Sequence, residues 1–291
     1  MLERKKTIIC IDSFKYGYLK SAPFLNKLSK RFQHGTLEFS LGFWGGMETF
    51  FKGKSDILAF YYHSKDSSLK WTRKFAWLGR WPLNLLINFT RFLKREELFF
   101  TYNIPLDKLW MFDTAVKKPL HKRLNVRYVH IGELDKIAHK YGTKSEETKE
   151  CIKKIDKKLS KMNFDLVFSD HGMIDIKKTI KVPESKICFI DSTMARYWGT
   201  KEELNKIKEK LSSKKGKIIK WPDKKYGQLI FLANPGILIL PNYWQGSRPC
   251  NAMHGYDPKN KDMLGFYIMK KARKRKDFKI KEFNKIFRKW K

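Results

Sequence analysis

Short apolar runs spaced along the chain constrain its fold more than any other feature of the sequence. Each run is only a few residues long, and helical patterns or polar segments separate it from the next. The predicted strands are residues 6–12, 57–63, 126–132, 166–170, 186–191, 228–233 and 236–242. Strands that alternate with helices are typical of an α/β domain with a buried, mostly parallel sheet.

Three helical patterns accompany these runs. Residues 21–32 carry apolar side chains at helical spacing, and residues 200–213 form a long, charged helical stretch. The clearest pattern covers residues 143–162, where Thr143 and Glu146 fit a capping box at the start. The apolar residues of this third helix share one face, which is the pattern of an amphipathic helix. They are Ile152, Ile155, Leu159 and Met162.

The size and composition of the chain fit one folded domain. Hydrophobic residues make up 42% of its 291 residues and aromatic residues 15%, which argues against global disorder. We expect a single domain over residues 1–291, with a helical, aromatic-rich insertion or cap at about 65–120. Pro82 is well placed to begin a helix in that insertion.

The formal net charge of +34 has two interpretations. It makes anionic partners plausible, such as an acidic membrane surface, a phosphorylated glycan or nucleic acid. Alternatively, it reflects lysine enrichment across a whole proteome, with the lysines merely solvated. A basic C-terminal tail at about 270–291 has apolar residues at helical spacing, which fits packing on the domain or contact with a membrane. Those residues are Phe283, Ile286, Phe287 and Trp290.

The cysteines and the absence of long apolar segments predict the cellular compartment of the protein. The four cysteines are widely spaced and form no CxxC pair, so neither a disulfide framework nor a zinc ribbon is indicated. Reduced, structural thiols fit a reducing environment. The sequence contains no run of 18 consecutive apolar residues, so it predicts no transmembrane helix. No export signal is visible either. We therefore expect a cytoplasmic protein, with peripheral membrane association as an extension of that location.

Acidic residues and histidines follow several predicted strands, where ligands bind in open α/β sheets. Carboxylate oxygens and imidazole nitrogens suit zinc, manganese or iron. Asp135 and His139 stand one helical turn apart, so both can face one ion. The strand at 166–170 ends abruptly in two such groups, followed by Gly172, which would let the backbone turn sharply away. The full set is Asp12, Asp135, His139, Asp170, His171 and His254, and only the combination is informative.

Four segments, in this order, resemble motifs of the alkaline phosphatase superfamily, in its type I phosphodiesterase and nucleotide pyrophosphatase branch. IICIDSFKYGYL (8–19) resembles the opening strand that ends in a metal-binding Asp. ELDKIAHKYG (133–142) resembles the Asp-x-x-Gly-His motif, with Ala138 where glycine is usual. FSDHGM (168–173) matches the paired Asp-His motif, and MHGYDP (253–258) resembles the final His motif. The resemblance implies a three-layer sandwich, with a mostly parallel sheet between helices on both faces.

The resemblance also implies a function and its cofactors. It predicts a metal-dependent hydrolase of phosphate esters, with phosphodiesters as the expected substrates and a two-metal site. Zinc is the first expectation for both divalent ions, with manganese or iron as alternatives. One ion would take Asp135, His139 and His254, and the other would take Asp12, Asp170 and His171. The expected partner is a phosphorylated, anionic substrate.

One departure from the family concerns the nucleophile. The family places a Thr or Ser in the loop that here reads SLGFWGGMETFFKG (40–53), and Phe43 or Trp44 occupies that position. The hydroxyls of Ser40 and Thr49 are nearest, and neither is in register. Three explanations stay open: attack by metal-bound water, use of a displaced hydroxyl, or an inactive metal-binding relative that recognises a phosphorylated ligand.

Two residues are candidates for substrate contacts. Arg196 suits a phosphate, but an ion pair with Asp191 on the surface is the interpretation that the sequence favours. Trp44 could stack on a sugar or base, although a tryptophan more often packs in a core. A basic nucleic-acid-binding protein is a further class of function, but the sequence has no RNP, KH or zinc-finger pattern.

Overall fold

A computed structural model describes residues 6–41, 126–185, 188–220, 227–242, 245–272 and 274–287. The predicted strand at 57–63 and the insertion at about 65–120 lie outside these residues, as do Phe43, Trp44 and Thr49. The helices are α1 (Pro23–Arg31), α2 (Glu133–Tyr141), α3 (Glu146–Leu159), α4 (Lys201–Ser212) and α5 (Ile280–Phe287), with a 3₁₀ helix at Tyr16–Ser21.

The described strands include one inside each of the six predicted runs that fall within these ranges. They are β1 (Lys6–Ile11), β2 (Gln33–Glu38), β3 (Val126–Ile131), β4 (Leu166–Phe168), β5 (Ile174–Asp175), β6 (Lys178–Ile180), β7 (Cys188–Ile190), β8 (Met194–Tyr197), β9 (Gly216–Ile219), β10 (Leu229–Ala233), β11 (Ile237–Ile239), β12 (Ala252–Met253), β13 (Gly265–Met269) and β14 (Phe278–Lys279). The three predicted helices correspond to α1, α3 and α4.

A six-stranded sheet is the centre of the fold, with strand order β14-β2-β13-β4-β1-β3. Strand β1 pairs in parallel with both β3 and β4, and β14 pairs in parallel with β2. Strand β13 is antiparallel to β2 and β4. Parallel pairings therefore predominate in this sheet, and the predicted α/β class is confirmed.

Both faces of the sheet are buried, as the continuous apolar run of β1 requires. Successive side chains of a strand point to opposite faces, and β1 divides its residues accordingly. Ile9 and Ile11 pack in a core that includes residues of α1, α2 and α3. Ile8 and Cys10 pack in a second core that includes Phe283 of α5. The fold is thus a sheet between two helical layers.

Helix α3 confirms the predicted apolar face but corrects the predicted cap. Its apolar residues are buried against the sheet, whereas the helix begins at Glu146, so Thr143 is too early to be its cap. Ser145 is the N-cap instead, and its side chain accepts from the backbone N–H of Thr148 at 3.1 Å. The Thr143 backbone N–H and hydroxyl both donate to the Asp175 carboxylate, at 2.6 and 3.0 Å. A long-range partner therefore engages the residue that local spacing assigned to the cap.

Three predicted strands lie outside the central sheet: β11 pairs in parallel with β6, and β7 and β10 belong to a four-stranded sheet. Strands β7, β8, β10 and β9 pair in that order, and every pairing is antiparallel. Only residues 191–193 connect β7 to β8, and a parallel pair needs a crossover of about a dozen residues or more. Helix α4 packs on this sheet, where Ile207 and Leu211 contact the cluster around Phe231.

The C-terminal helix packs on the domain, as one interpretation of the basic tail predicted. Phe283 is fully buried among Tyr267 and Phe278, with ring centroids 4.9 and 5.3 Å away. Ile286 is partly buried against the same cluster, and Trp290 lies outside the described residues. Across the described ranges, none of the helices is both long enough and apolar enough to span a bilayer.

Candidate metal centre

Three adjacent parallel strands of the central sheet place five of the six predicted ligands at the edge formed by the carboxyl ends of these strands. Asp12 follows β1 directly, and Asp170 and His171 follow the adjacent strand β4 after a single serine. On the other side of β1, β3 leads into α2, which carries Asp135 and His139. Carboxyl ends of parallel strands share an edge, so distant sequence segments meet there.

The sixth residue, His254, follows the two-residue strand β12, which pairs with β5 beyond the end of β4. The predicted strands end at residue 242, whereas the chain forms β12, β13 and β14 beyond that residue, so His254 does not follow the last strand. Strand β13 is antiparallel to β4, so it begins beside the carboxyl end of β4. The His254 segment precedes β13 and lies at the same edge as the other five residues.

The six side chains form two triads of potential ligand atoms. Within each triad, one atom per residue lies within 4.8 Å of the others. In the first, His139 Nε2 and His254 Nε2 lie 3.3 and 3.8 Å from Asp135 Oδ1. The second triad consists of Asp12, Asp170 and His171. These are the same two groups that the family resemblance implied from the sequence.

The second triad converges on His171 Nε2. This nitrogen lies 3.3 Å from Asp12 Oδ1 and 3.7 Å from Asp170 Oδ2. The rings of His171 and His254 stack, with centroids 3.7 Å apart and planes 11° from parallel. The two triads are therefore neighbours within a single site.

Backbone carbonyls set the orientation of two of the imidazoles. His139 Nδ1 donates to the carbonyl of Ala252 at 2.8 Å, and His171 Nδ1 donates to that of Gly172 at 3.0 Å. A carbonyl only accepts, so each Nδ1 carries a proton and each Nε2 faces the carboxylates. This is the arrangement by which a second hydrogen bond orients a metal-binding histidine.

Proton affinities in the first triad indicate an ion pair. Burial raises the pKa of Asp135, but the hydrogen bond to His139 and the charges of the nearby histidines together outweigh burial and hold that pKa well below its usual value. Burial lowers the pKa of His139, while its hydrogen bonds and the charge of Asp135 together raise it to about 10. The positive charge of the protonated His139 imidazole is therefore stabilised by the Asp135 carboxylate. Burial and the nearby His171 hold the pKa of His254 well below its usual value, so its imidazole is neutral.

The second triad has an excess of negative charge that fits a cation. Burial and the adjacent Asp170 carboxylate raise the pKa of Asp12 well above its usual value. Asp12 Oδ1 is buried and has no hydrogen-bond partner, which is rare for a buried carboxylate oxygen. A divalent cation would satisfy this oxygen and neutralise the paired carboxylates. The donor set of oxygen and nitrogen atoms suits zinc, manganese or iron.

The structure adds a histidine that the sequence analysis did not single out. His130, near the end of β3, lies with Nε2 3.2 Å from Asp12 Oδ2. Its other ring nitrogen, Nδ1, lies 3.2 Å from the Tyr128 hydroxyl. The side chain is almost completely buried, so it orients Asp12 from the protein interior. The sequence offered one signal for this role. His130 is one residue before the end of β3, the strand that precedes Asp135.

Gly172 is required for a reason other than the turn that the sequence suggested. Its backbone is not in the left-handed region that favours glycine. A Cβ atom there would lie less than 3.0 Å from the carbonyl oxygen of Asp262 and 3.0 Å from the Lys15 Cβ. Glycine therefore permits close approach of the segment before β13 to the Asp170–His171 pair.

The remaining candidates lie in different surroundings. Arg196, in β8, is 2% exposed, and its Nη2 lies 3.8 Å from Asp191 Oδ2. The predicted ion pair is present, but it is buried, so the surface location was wrong. Ser40 is half-buried just after β2. Phe43, Trp44 and Thr49 fall in the part of the chain that the structure does not describe.

Comparison with known proteins gives a family and a fold. The model of the family "Type I phosphodiesterase / nucleotide pyrophosphatase" matches residues 41–200, a range that includes the Asp135 and Asp170 motifs. No curated protein matches the chain significantly in sequence.

Among solved structures, the chain resembles murine ectonucleotide pyrophosphatase / phosphodiesterase 5, in an inactive threonine-to-alanine variant in complex with AMP. The TM-score is 0.67 and the identity 14%, over 99% of this chain and 95% of that one. The human ectonucleotide pyrophosphatase / phosphodiesterase 5 gives 0.66 and 16%, over 97% and 93%. At these identities the likeness establishes the shared fold.

Proposed function

The chain belongs to the type I phosphodiesterase / nucleotide pyrophosphatase family, and we propose that it is a two-metal hydrolase of phosphate diesters. The observation that carries this proposal is the convergence of six ligand-type side chains in two adjacent triads. Four separate segments contribute to them, and such a combination does not arise from local sequence pattern alone. The buried Asp12 oxygen without a hydrogen-bond partner supports the same proposal.

We assign Asp135, His139 and His254 to one cation, and Asp12, Asp170 and His171 to the other. Bound there, two divalent cations would stabilise the charge that develops on the attacking and leaving oxygens and would lower the pKa of a water. Zinc is our proposed ion, because histidine nitrogen and carboxylate oxygen are among its usual ligands. The central sheet and its adjoining segments hold the six proposed ligands in fixed positions at the sheet edge.

We propose a single displacement by water, with inversion at phosphorus. The family position of the nucleophile corresponds to Phe43 or Trp44, and neither side chain can form a covalent phosphoryl ester. The substrate is an anionic phosphodiester, which the charge of +34 would attract over distance at low ionic strength. We propose the cytoplasm, or a membrane surface facing it, as the location.

Metal analysis combined with a hydrolysis assay tests this function. The full-length chain, purified without chelator, should contain about two divalent ions and should hydrolyse bis(p-nitrophenyl) phosphate. Asp170→Asn keeps the side-chain shape but removes a charged ligand, so it should lose about one ion and most of the hydrolysis. Asp277→Asn is the matched control, because Asp277 accepts from the Thr36 N–H at 2.8 Å and belongs to neither triad.

Each alternative to this function predicts a different experimental result. A folded chain that takes up no divalent ion would overturn the two-metal proposal. A chain that holds two ions but hydrolyses neither monoesters nor diesters would instead be a binding relative that recognises a phosphorylated ligand. Retention of configuration with a chiral phosphorothioate diester would reveal two displacements, and so a hydroxyl nucleophile such as Ser40 or Thr49.

A further inference from the structure

The hydroxyl of Ser13 lies between the two triads and contacts one member of each. Ser13 Oγ is 2.6 Å from Asp135 Oδ1 in the first triad. It is also 3.3 Å from His171 Nδ1 in the second triad. Ser13 is fully buried, so these contacts are made away from bulk water. Neither composition nor motif spacing assigned a role to this residue.

The chemistry of the partners fixes the direction of both hydrogen bonds. An ionised carboxylate only accepts, so the Ser13 hydroxyl donates to Asp135 Oδ1. Having given its proton to that bond, Ser13 Oγ can only accept from His171 Nδ1. The Nδ1–H of His171 is therefore shared between Ser13 Oγ and the Gly172 carbonyl. In the neutral ring this leaves the lone pair on Nε2, which faces Asp12 and Asp170.

The backbone at Ser13 is held in a conformation that a serine rarely adopts. Its φ is 63°, and it is the one non-glycine residue with positive φ within the described ranges. Neighbouring bonds hold this geometry, because the Phe14 N–H donates to Ser169 Oγ at 2.9 Å and the Asp12 N–H to the Ile131 carbonyl at 2.9 Å. Strained backbone of this kind persists where the surroundings determine it, commonly at functional sites. A glycine would relieve the strain but would lack the hydroxyl.

We propose that Ser13 is a positioning residue that couples the two metal sites through its hydrogen bonds to Asp135 and His171. The inference rests on the proposed two-metal function and adds a connection between its halves. A cation on His171 Nε2 makes its Nδ1–H a stronger hydrogen-bond donor to Ser13 Oγ, and this contact keeps the Ser13 hydroxyl proton directed toward Asp135. Asp135 Oδ1 is then already oriented for the other site. Occupancy of either site therefore favours occupancy of the other.

Release of zinc from the metallated, full-length chain tests this coupling. Increasing EDTA should remove both ions from the wild type in one cooperative step. Ser13→Gly and Ser13→Ala both remove the hydroxyl, and only the alanine variant keeps the strained backbone. Both variants should lose zinc at about 10- to 100-fold lower EDTA, the effect typical of losing an outer hydrogen-bond partner of a metal ligand. Their two ions should also leave in separate steps.

Ser29→Ala is the matched control. Ser29 is also buried, and its hydroxyl donates to the Asn26 carbonyl within α1, away from both triads. This variant should release zinc as the wild type does. Melting temperatures of all four chains, measured with zinc bound, establish that each is folded.

The outcomes separate this inference from the proposed function. If the wild type holds two ions and both Ser13 variants release them together at the wild-type EDTA concentration, the coupling is refuted and the two-metal site stands. If only Ser13→Ala is weakened, backbone strain is responsible and the hydroxyl is not. If the wild type holds no zinc, both the function and the coupling are overturned.

Discussion

Replacing Gly172 with alanine should both destabilise the protein and weaken the second metal triad. The added Cβ would lie less than 3.0 Å from the Asp262 carbonyl oxygen, whereas ordinary contact begins at 3.4 Å. The obstacle is backbone, which cannot rotate away as a flexible side chain does. One of the two segments must therefore move by about 1 Å or more.

The size of the effect follows from these contacts. Overpacking of this kind costs about 1–3 kcal/mol, and the backbone obstacle favours a value of about 3 kcal/mol. For a chain of this size that corresponds to a fall in melting temperature of about 6–12 °C. The Gly172 N–H donates to the Met263 carbonyl at 2.9 Å, and its own carbonyl accepts from His171 Nδ1 at 3.0 Å. A shift of this segment therefore disturbs a proposed ligand as well as the packing.

The assay compares Gly172→Ala with Gly17→Ala by thermal unfolding and by zinc retention. Gly17 lies in the 3₁₀ helix, and no atom approaches within 4 Å of a Cβ placed there. Alanine can adopt the backbone conformation of Gly17, so Gly17→Ala should change the free energy of unfolding by less than about 1 kcal/mol. Zinc retention should stay at the wild-type level in Gly17→Ala and fall in Gly172→Ala. If Gly172→Ala melted within 2 °C of the wild type (about 1 kcal/mol or less) and kept both ions, the close-approach argument would be refuted.

Three further predictions concern stability and thiol reactivity. Asp156 accepts two backbone N–H groups at the start of α1, so Asp156→Ala should cost about 2–4 kcal/mol in the free energy of unfolding by urea. A cost below 1 kcal/mol (roughly one neutral hydrogen bond) would show that water replaces the carboxylate. Phe283→Ala should cost about 3–5 kcal/mol, because the ring is fully buried, and a neutral result would contradict packing of α5. Burial raises the pKa of Cys151 to about 12, so at pH 8 a maleimide should label the half-buried Cys250 and leave Cys151 unmodified in the native protein.

The fold class and the identity of the six candidate ligands could be predicted from the sequence. The apolar runs predicted the strands because the part of a strand that is buried on both faces is apolar, as residues 8–11 of β1 are. Asp135 and His139 could be paired because their separation of four residues is a local, helical property. The grouping of all six residues came from the family resemblance, which supplies long-range information that spacing alone lacks.

The sheet to which each strand belongs was decided by the tertiary structure. β7 and β10 are as apolar as β4, yet they form a separate antiparallel sheet, since short connections constrain pairing more than composition does. The fully buried β13 was missed although its sequence, GFYIM, is apolar. Its position between β2 and β4 depends on contacts with residues far away in the chain.

The contacts that surround the proposed ligands were also decided by the tertiary structure. Ser13 meets Asp135 across 122 residues, and His130 meets Asp12 across 118. Thr143 has the local spacing of a helix cap, but the Asp175 carboxylate, 32 residues away, binds it instead. Local patterns report the conformation of a segment, because neighbours in sequence determine helix and strand periodicity. The partner that satisfies a buried hydroxyl or imidazole depends on which distant segments the packed core brings to it.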